Sequence, residues 1–281
     1  MKPNLIDSRS PKKMKYLKIV IVTIMLVPAL LAQLGCSAET EKAQLIMNIQ
    51  VTGADNFKPM LDELNNRSII STVWLNAEEM AENTQYLAEI AEQGHEIAGK
   101  FDGQITEETS YAEQKEALLS ILEAAPSFTA NQIAGFRATR FTANEYTYQL
   151  LDELKLTYLE RSARDELFSV FAFKPYMFEE HNFAILPMPI RCAFGESGSL
   201  CDTSARGELT AEQFTQYVYA AINNNIKLSE PLILEWHPAV TYPGDPEGWW
   251  QSFIDILDYL ETLDVDVEYV TAIELIDRYI G

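Results

Sequence analysis

The sequence predicts an α/β fold, a distorted (β/α) barrel of about seven units, and three observations support this prediction. From residue 45 onward, short apolar and β-branched runs alternate with segments whose apolar residues recur at helical spacing. About seven such pairs occupy roughly 240 residues, the usual length of a single barrel domain. Hydrophobic residues make up 47% of the 281-residue chain and charged residues 22%, which is typical of globular rather than disordered proteins.

Strands are predicted where apolar and β-branched residues run together without a helical repeat. The run LIMNIQV at 45–51 opens the domain, and SIISTVWL at 68–75 follows it after one short helix. LILEW at 232–236 is a third such run. The remaining strand predictions cover residues 95–98, 133–136, 157–159 and 267–270.

Helices are predicted where apolar residues lie three or four positions apart behind a capping residue. Ser110 with Glu113, and Thr210 with Gln213, have the spacing of a capping box, and apolar residues at helical spacing follow each pair. Both pairs are therefore predicted to begin helices. The remaining helix predictions cover residues 57–64, 78–93, 144–154, 249–260 and 272–279.

Residues 162–206 show neither pattern and are predicted to form an irregular insertion near one end of the barrel. Within this segment, Cys192 and Cys201 flank the Gly/Ser-rich sequence AFGESGSL. Outside the cytosol we expect such a pair to form a disulfide that closes a short loop, and the alternative is two unrelated buried thiols. A metal site is not expected here, because no histidine or further cysteine lies nearby in the sequence.

The first 36 residues form a segment of their own. Basic residues precede the apolar run IVIVTIMLVPALL at 19–31, a pattern typical of an export signal. A small residue stands before Cys36, which resembles a lipoprotein signal in which Cys36 would be lipidated. Three outcomes stay open: a lipid anchor in the membrane, an uncleaved membrane anchor, or a cleaved and secreted protein. Residues 37–44 are predicted to be a linker, and 45–281 the exported, envelope-associated domain.

The chain is strongly acidic. It has 21 Lys and Arg residues against 42 Asp and Glu residues, a formal net charge of -21. Such a surface repels a phosphate backbone, so nucleic acid is excluded as a principal partner. The charge suits a saline or extracellular setting, although solubility alone explains it equally well.

In a (β/α) barrel, functional side chains lie at the C-terminal ends of the strands. Applied to the predicted strands, this rule selects five places. They are residues 50–53, 100–104, 137–140 and 160–162, together with His237.

Several stretches at these places resemble the polysaccharide deacetylase (NodB-homology) family. TVWL, a helix and then QGHEIAGK resemble the start of that domain and its GHEIGNH sequence. Farther on, GFRATRFTANEY resembles the family's Arg-Pro-Pro-Tyr-Gly motif, and LILEWHP resembles its late strand that ends in a histidine. The last predicted strand and helix also match, so the resemblance covers roughly residues 45–279 in the family's order.

The resemblance implies a function and a mechanism. Members of the family remove acetyl groups from chitin, peptidoglycan or similar glycans. One aspartate and two histidines hold a divalent metal, usually zinc, and a second aspartate is the general base. The late histidine is the general acid, and the motif arginine orients the base. Amide hydrolysis at neutral pH needs an activated water and a stabilised oxyanion, and a metal ion supplies both.

This sequence departs from the family at the metal. The paired aspartates fall on Val51 and Thr52, or on Gln50 and Val51 in the neighbouring register, and neither register contains a carboxylate. The two histidines fall on Lys100 and Gln104, which are not zinc ligands in ordinary sites. We therefore predict no metal and no cofactor, and a pocket at these degenerate positions.

Two residues keep the family's chemistry: Arg137 and His237 are the candidate catalytic residues. A further hypothesis is that the ammonium of Lys100 lies about where the family's zinc lies and supplies positive charge without a metal. The alternative is that Lys100 is simply solvated at a degenerate site.

Three functions remain open, so the sequence does not decide whether the protein is an enzyme. The first is an envelope protein that binds N-acetylated glycans and has lost or impaired metal-dependent deacetylation. The second is an active carbohydrate deacetylase that uses His237 in a rearranged site, with zinc as its cofactor. The third is a structural envelope component.

Overall fold

A largely parallel sheet that curls into half a barrel forms the centre of the unit that begins at Lys42, and helices pack against it. The structure is a computed structural model that describes residues 42–53, 57–125, 133–162, 174–188, 200–263 and 267–281. The predicted α/β fold, a distorted barrel built from strand–helix units, is thereby confirmed.

Nine strands lie in the described part of the chain. Their order across the sheet is β6-β7-β5-β4-β3-β2-β1-β8, and β9 pairs with the first residues of β1. All pairs are parallel except β6 with β7. The strands are β1 Ala43–Gln50, β2 Ser71–Leu75, β3 Glu96–Phe101, β4 Gly135–Ala138, β5 Tyr158–Ser162, β6 Tyr176–Met177, β7 Ala184–Met188, β8 Leu232–Trp236 and β9 Val267–Tyr269.

Nine α-helices accompany these strands in the same described ranges. Both predicted helix starts are confirmed. Thr210 with Gln213 forms a complete capping box, whereas at Ser110 only one half is present, the Ser110 hydroxyl accepting from the Glu113 amide. The helices are α1 Lys58–Asn66, α2 Ala77–Glu82, α3 Thr84–Glu92, α4 Tyr111–Ala124, α5 Glu145–Leu154, α6 Asp202–Arg206, α7 Ala211–Leu228, α8 Trp249–Thr262 and α9 Ala272–Ile280.

The helix predicted over 78–93 is in fact two helices, α2 and α3, which meet at Asn83. The Asn83 side chain donates to the carbonyl of Glu79, and the Thr84 hydroxyl donates to the carbonyl of Ala81. Side chains of this kind compete with the backbone for its acceptors and favour a break. The break matters because it separates α2, which carries part of the site described below.

The prediction of an irregular segment over 162–206 is wrong for β6, β7 and α6, and β7 is the longer of the two strands. Ala184–Met188 is a fully buried strand that pairs with β5 along five residues. The sequence does not predict this strand because it contains Pro187, and proline, which has no N–H, is rare inside a sheet. The neighbouring strand β6 pairs only with Ala184 and Ile185, so it ends before the proline is reached.

Several strand positions carry polar side chains in an otherwise apolar core. Residues opposite each other on adjacent strands project to the same face of the sheet, so polar positions in register lie side by side on that face. Lys100 lies opposite Arg137, and Asn48 lies opposite Glu235. All four are buried, which gives the interior of the half-barrel a charged centre.

The N-terminal predictions lie outside the described residues. These include the export signal or anchor, the lipidation site at Cys36 and most of the linker; only its last residues are described, and Ala43 and Gln44 belong to β1. Within the ranges that the structure describes, no helix is long and apolar enough to cross a membrane.

Candidate functional site

The C-terminal ends of the central strands bring the predicted site residues into one region. Lys100 lies in β3, Arg137 in β4 and Glu160 in β5, while His237 directly follows β8. All four side chains are buried. Their ionic contacts form two groups. One group surrounds Lys100, and the other contains Arg137, Glu160 and His237.

Lys100 lies in a buried ion pair. Its Nζ is 2.8 Å from Oε1 of Glu79 and 3.0 Å from Oδ1 of Asp102, and it donates to the carbonyl of Val51 at 2.5 Å. The side chains of Lys100 and Glu79 are each 1% exposed, whereas that of Asp102 is 57% exposed. The alternative of a solvated lysine is therefore wrong.

Glu79 is held by the backbone on two sides. Its Oε2 accepts from the amide of Asn76 in the capping box that begins α2, and its Oε1 accepts from the amide of Gly53. Burial raises the pKa of Glu79, while Lys100 and these two amides counteract part of that rise. One carboxylate thus connects the start of α2, the loop after β1 and the lysine of β3.

The other three positions of the predicted pocket do not converge on Lys100. The Val51 side chain is buried in the core, and only its carbonyl oxygen reaches the ammonium. Thr52 and Gln104 are exposed. The amide of Gln104 faces Arg140 and, with its oxygen toward the guanidinium, accepts from Nε at 3.0 Å and from Nη1 at 2.9 Å.

These four residues do not fit the zinc that the family resemblance implies. An ammonium has no lone pair for a metal, and it repels a divalent cation. Neither the exposed Thr52 nor the exposed Gln104 supplies a carboxylate or imidazole. No chemical step is therefore assigned to a metal at this position.

Arg137 is the centre of the second group. Its Nη1 donates to Oε2 of Glu160 and to Oε2 of Glu235, each at 2.7 Å, and its Nη2 donates to the side-chain oxygen of Gln50. The guanidinium also lies over the ring of Trp74, 4.8 Å from the ring centre. The resemblance implies an aspartate beside this arginine, but no aspartate among the residues that the structure describes forms an ion pair with it. Two glutamates form ion pairs with the guanidinium instead.

The two glutamates differ in their protonation. Burial raises the pKa of Glu160 to about 7, although Arg137 and a hydrogen bond from Asn48 oppose that rise. Burial has the same effect on Glu235, but Arg137 and His237 outweigh it and lower its pKa. Burial lowers the pKa of Arg137, but the two carboxylates outweigh burial, so the pKa lies above its ordinary value. Glu160 is therefore the group that takes up a proton near neutral pH.

His237 is bound to Asp202, the first residue of α6. Its Nδ1 lies 2.6 Å from Oδ1 of Asp202, and its Nε2 lies 3.4 Å from Oε1 of Glu235. Burial lowers the pKa of His237, but the adjacent Cys201 and Asp202 raise it well above its ordinary value. A histidine held in this state has a proton to donate, which is what a general acid requires.

Cys201 contacts the same histidine. Its Sγ is 3.8 Å from Nδ1 of His237 and 3.7 Å from Oε1 of Glu235. Its side chain is buried, and it forms no disulfide with any residue that the structure describes. Its predicted partner, Cys192, lies outside the described residues, so the disulfide stays a prediction.

Two residues of the site, Glu79 and Asp202, are not predicted from the sequence. Glu79 is the third residue of a helix that follows Asn76, and this capping spacing was present but indicates only a helix start. Asp202 follows Cys201 in a stretch without periodicity. No local signal places either carboxylate beside a residue 21 or 35 positions away.

Solved structures of polysaccharide deacetylases share this fold. A Mycobacterium smegmatis protein classed as a polysaccharide deacetylase superposes with a TM-score of 0.61 at 16% identity, over 86% of this chain and 91% of that chain. A Pseudomonas aeruginosa PAO1 protein of the same class superposes with a TM-score of 0.65 at 15% identity, over 85% and 91%. This chain has the polysaccharide deacetylase fold.

A CE4 family pseudoenzyme from Bacillus anthracis is also similar to this deacetylase-like chain. It superposes with a TM-score of 0.51 at 13% identity, over 85% of this chain and 67% of that chain. No family model and no curated protein matches the sequence. At these identities the likeness concerns the fold alone.

Proposed function

We propose that this protein is exported and envelope-associated, binds N-acetylated glycans, and has lost metal-dependent deacetylation. The observation that carries the proposal is the ammonium of Lys100. It is buried, ion-paired with Glu79 and bonded to the carbonyl of Val51, at a position where the resemblance implies a metal-binding histidine. A fixed cation at that position disfavours a second, divalent one.

Glycan binding is supported by the polar surface at the same edge of the sheet. Thr52, Asp102 and Gln104 follow β1 and β3, and all three are exposed. Tyr242, in the loop after β8, is 41% exposed and offers an aromatic face. Because the C-terminal ends of parallel strands lie at one edge, these side chains border one surface, and hydroxyl, amide and aromatic groups suit a sugar.

Export and attachment to the envelope are supported by the sequence alone. The basic residues and apolar run before Cys36 are typical of an export signal, and the acidic remainder suits an extracellular setting. Fractionation of cells, with Cys36→Ser as the comparison, tests the lipid anchor. A protein that stays in the membrane fraction after this substitution is not anchored through Cys36.

Acetate release and glycan binding, measured on the same preparation, test the main proposal. The full chain in mild detergent is incubated with chitooligosaccharides and with peptidoglycan fragments, with and without added zinc. We expect binding without acetate release. Acetate release that a chelator abolishes contradicts the loss of activity, and absence of binding to either glycan favours a structural envelope component.

Lys100→His gives a sharper test, because it replaces the fixed cation by the imidazole that the family resemblance implies at this position. A variant of the B. anthracis pseudoenzyme is described as having restored enzymatic activity. We expect Lys100→His to bind one more equivalent of zinc than the unaltered protein, because Glu79 and Asp102 keep carboxylate oxygens beside position 100. The matched control, Lys100→Met, also removes the cation but supplies no ligand, and it should gain nothing. Equal zinc binding by the unaltered protein and by Lys100→His contradicts the role given to the lysine.

The second candidate, an active deacetylase with a rearranged site, is favoured by one observation. His237 keeps a buried carboxylate partner in Asp202 and a raised pKa, as a general acid requires. This candidate predicts that the unaltered protein releases acetate and that His237→Gln abolishes the release while glycan binding remains. The main proposal predicts no release from either protein.

A further inference from the structure

We propose that Cys201, Asp202 and His237 form a zinc site, with Cys201 as a thiolate in place of the predicted Cys192–Cys201 disulfide. This site is distinct from the position at which the family resemblance implies a metal. The three residues lie where the chain runs beside β8 and begins α6. All are buried, and Sγ, a carboxylate oxygen and an imidazole nitrogen lie within 4.8 Å of one another. Among the described residues, this is the one group of histidine, cysteine and acidic side chains that meets this geometry.

The distances from the sulfur fit a bridging metal ion. Sγ of Cys201 is 3.8 Å from Nδ1 of His237 and 4.0 Å from Oδ1 of Asp202. Zinc bonds of about 2.0–2.3 Å span these separations at ligand–metal–ligand angles of roughly 120–130°. The remaining separation, Nδ1 to Oδ1, is 2.6 Å and is a hydrogen bond. Zinc would replace its proton and widen this contact to about 3.3 Å.

The types of ligand atom in this group favour zinc. A thiolate and an imidazole are soft or borderline ligands, which favour zinc over magnesium or calcium. The charges also balance, because one thiolate and one carboxylate neutralise a divalent ion. A neutral complex is the form that a buried site tolerates best.

The Asp202 carboxylate is already oriented for this task. Its Oδ2 accepts from the His237 amide at 2.8 Å and from the Thr241 hydroxyl at 2.6 Å. Its Oδ1 accepts from the Thr203 amide at 2.7 Å, and the same oxygen faces the thiol and the imidazole. Metal-binding carboxylates are commonly fixed by such outer hydrogen bonds.

The imidazole has an outer partner as well. With Nδ1 on the metal, the proton of Nε2 faces Oε1 of Glu235 at 3.4 Å, and Arg137 holds the other carboxylate oxygen at 2.7 Å. A histidine that binds metal through one nitrogen and a carboxylate through the other is a common arrangement. All three ligands are buried, so a bound zinc ion would hold the start of α6 against β8, with the fourth position of a tetrahedral ion left for a water molecule.

Cobalt and zinc titrations of the full chain test this site. The protein carries Cys36→Ser and Cys192→Ser, so that Cys201 is the last of the three cysteines. We expect one equivalent of Co²⁺ to bind with a thiolate-to-cobalt charge-transfer band in the near ultraviolet. Zinc should displace the cobalt, and it should raise the midpoint of thermal unfolding.

The control adds Cys201→Ser, which is close in size to the native residue. We expect it to abolish the charge-transfer band and to weaken zinc binding by at least about tenfold. The proposal is overturned if the protein that keeps Cys201 shows no band, a result that does not depend on the folding of the control. It is also overturned if zinc binds equally well after Cys201→Ser. Neither result bears on acetate release.

Discussion

The two sides of the site have different relations to the family that they resemble. On the Lys100 side, the family's metal ligands are replaced by a buried lysine–glutamate pair. On the His237 side, a histidine and an arginine remain and keep carboxylate partners. The comparison shows that each buried charge is compensated on both sides, by one carboxylate for Lys100 and by two for Arg137. Charge balance therefore does not depend on whether the residues that the resemblance implies are present.

The largest effect is expected from Lys100→Met. This change leaves the Glu79 carboxylate buried without its cation, although two backbone amides still donate to it. Breaking a buried ion pair at one partner costs about 3–5 kcal/mol, and urea unfolding measures that loss. The double variant Lys100→Met/Glu79→Gln should recover most of it. A single-variant loss below about 1 kcal/mol would show that the pair contributes little.

The next effect concerns the dependence of stability on pH. Burial raises the pKa of Glu160 to about 7, so between the ordinary carboxyl range and about pH 7 the folded state binds a proton that the unfolded state has lost. Its contribution therefore decreases as pH rises through that window, by at most about 1.4 kcal/mol per pH unit. Glu160→Gln should remove this slope.

The glutamine fits because Oδ1 of Asn48 has no hydrogen-bond partner among the residues that the structure describes. Rotating both amides lets the new Nε2 donate to that oxygen while the new Oε1 accepts from Arg137. Unfolding free energies of the two proteins between pH 4 and pH 8 provide the measurement. If both slopes are the same, Glu160 is not the group that titrates.

A smaller loss, about 1–3 kcal/mol, is expected from Asp202→Asn, because a charge-assisted bond to His237 becomes a neutral one. The raised pKa of His237 stabilises the fold below pH of about 6.5, and this contribution is lost as pH rises through the folded value. The variant should lower the His237 pKa, which NMR titration reports directly.

The matched control is Asp152→Asn, which alters a histidine–carboxylate pair at the surface. His181 Nδ1 lies 2.7 Å from Asp152, but the two side chains are 21% and 26% exposed. Solvent screens such a pair, so the change should cost less than about 1 kcal/mol. Equal losses in the buried and exposed pairs would contradict the weight given to burial.

The smallest effect is expected from Gln104→Ala, which alters an exposed side chain at a degenerate family position. We expect a change within about 0.5 kcal/mol in the free energy of unfolding. Glycan affinity is the more informative readout, because this side chain borders the surface proposed to bind sugar. A large loss of stability would mean that the Arg140 contact is structural.

The parts of the fold that the sequence predicted are those with local patterns. Residues 232–236 are predicted as a strand with the bounds that β8 has, because a short apolar run ends just before His237. β7 was missed because Pro187 interrupts its sequence. The break at Asn83 was missed because the apolar spacing of 78–93 continues across it.

Only those residues of the site that lie at strand ends are predicted from the sequence. Lys100, Arg137, Glu160 and His237 were selected because each lies at or near the end of a predicted strand. Their partners come from elsewhere: Glu79 lies on a helix and reaches Lys100 across 21 positions. Such pairings depend on how the strands curl, and no spacing in the sequence encodes that.

Anomalous X-ray diffraction at the zinc edge, on crystals of the full chain soaked with zinc, tests the central claim most directly. The claim is that the ammonium of Lys100 replaces the family's metal. It predicts no zinc peak near Lys100 Nζ and the Val51 carbonyl, and it allows a peak between Cys201, Asp202 and His237. A zinc ion beside a displaced Lys100 side chain would contradict it.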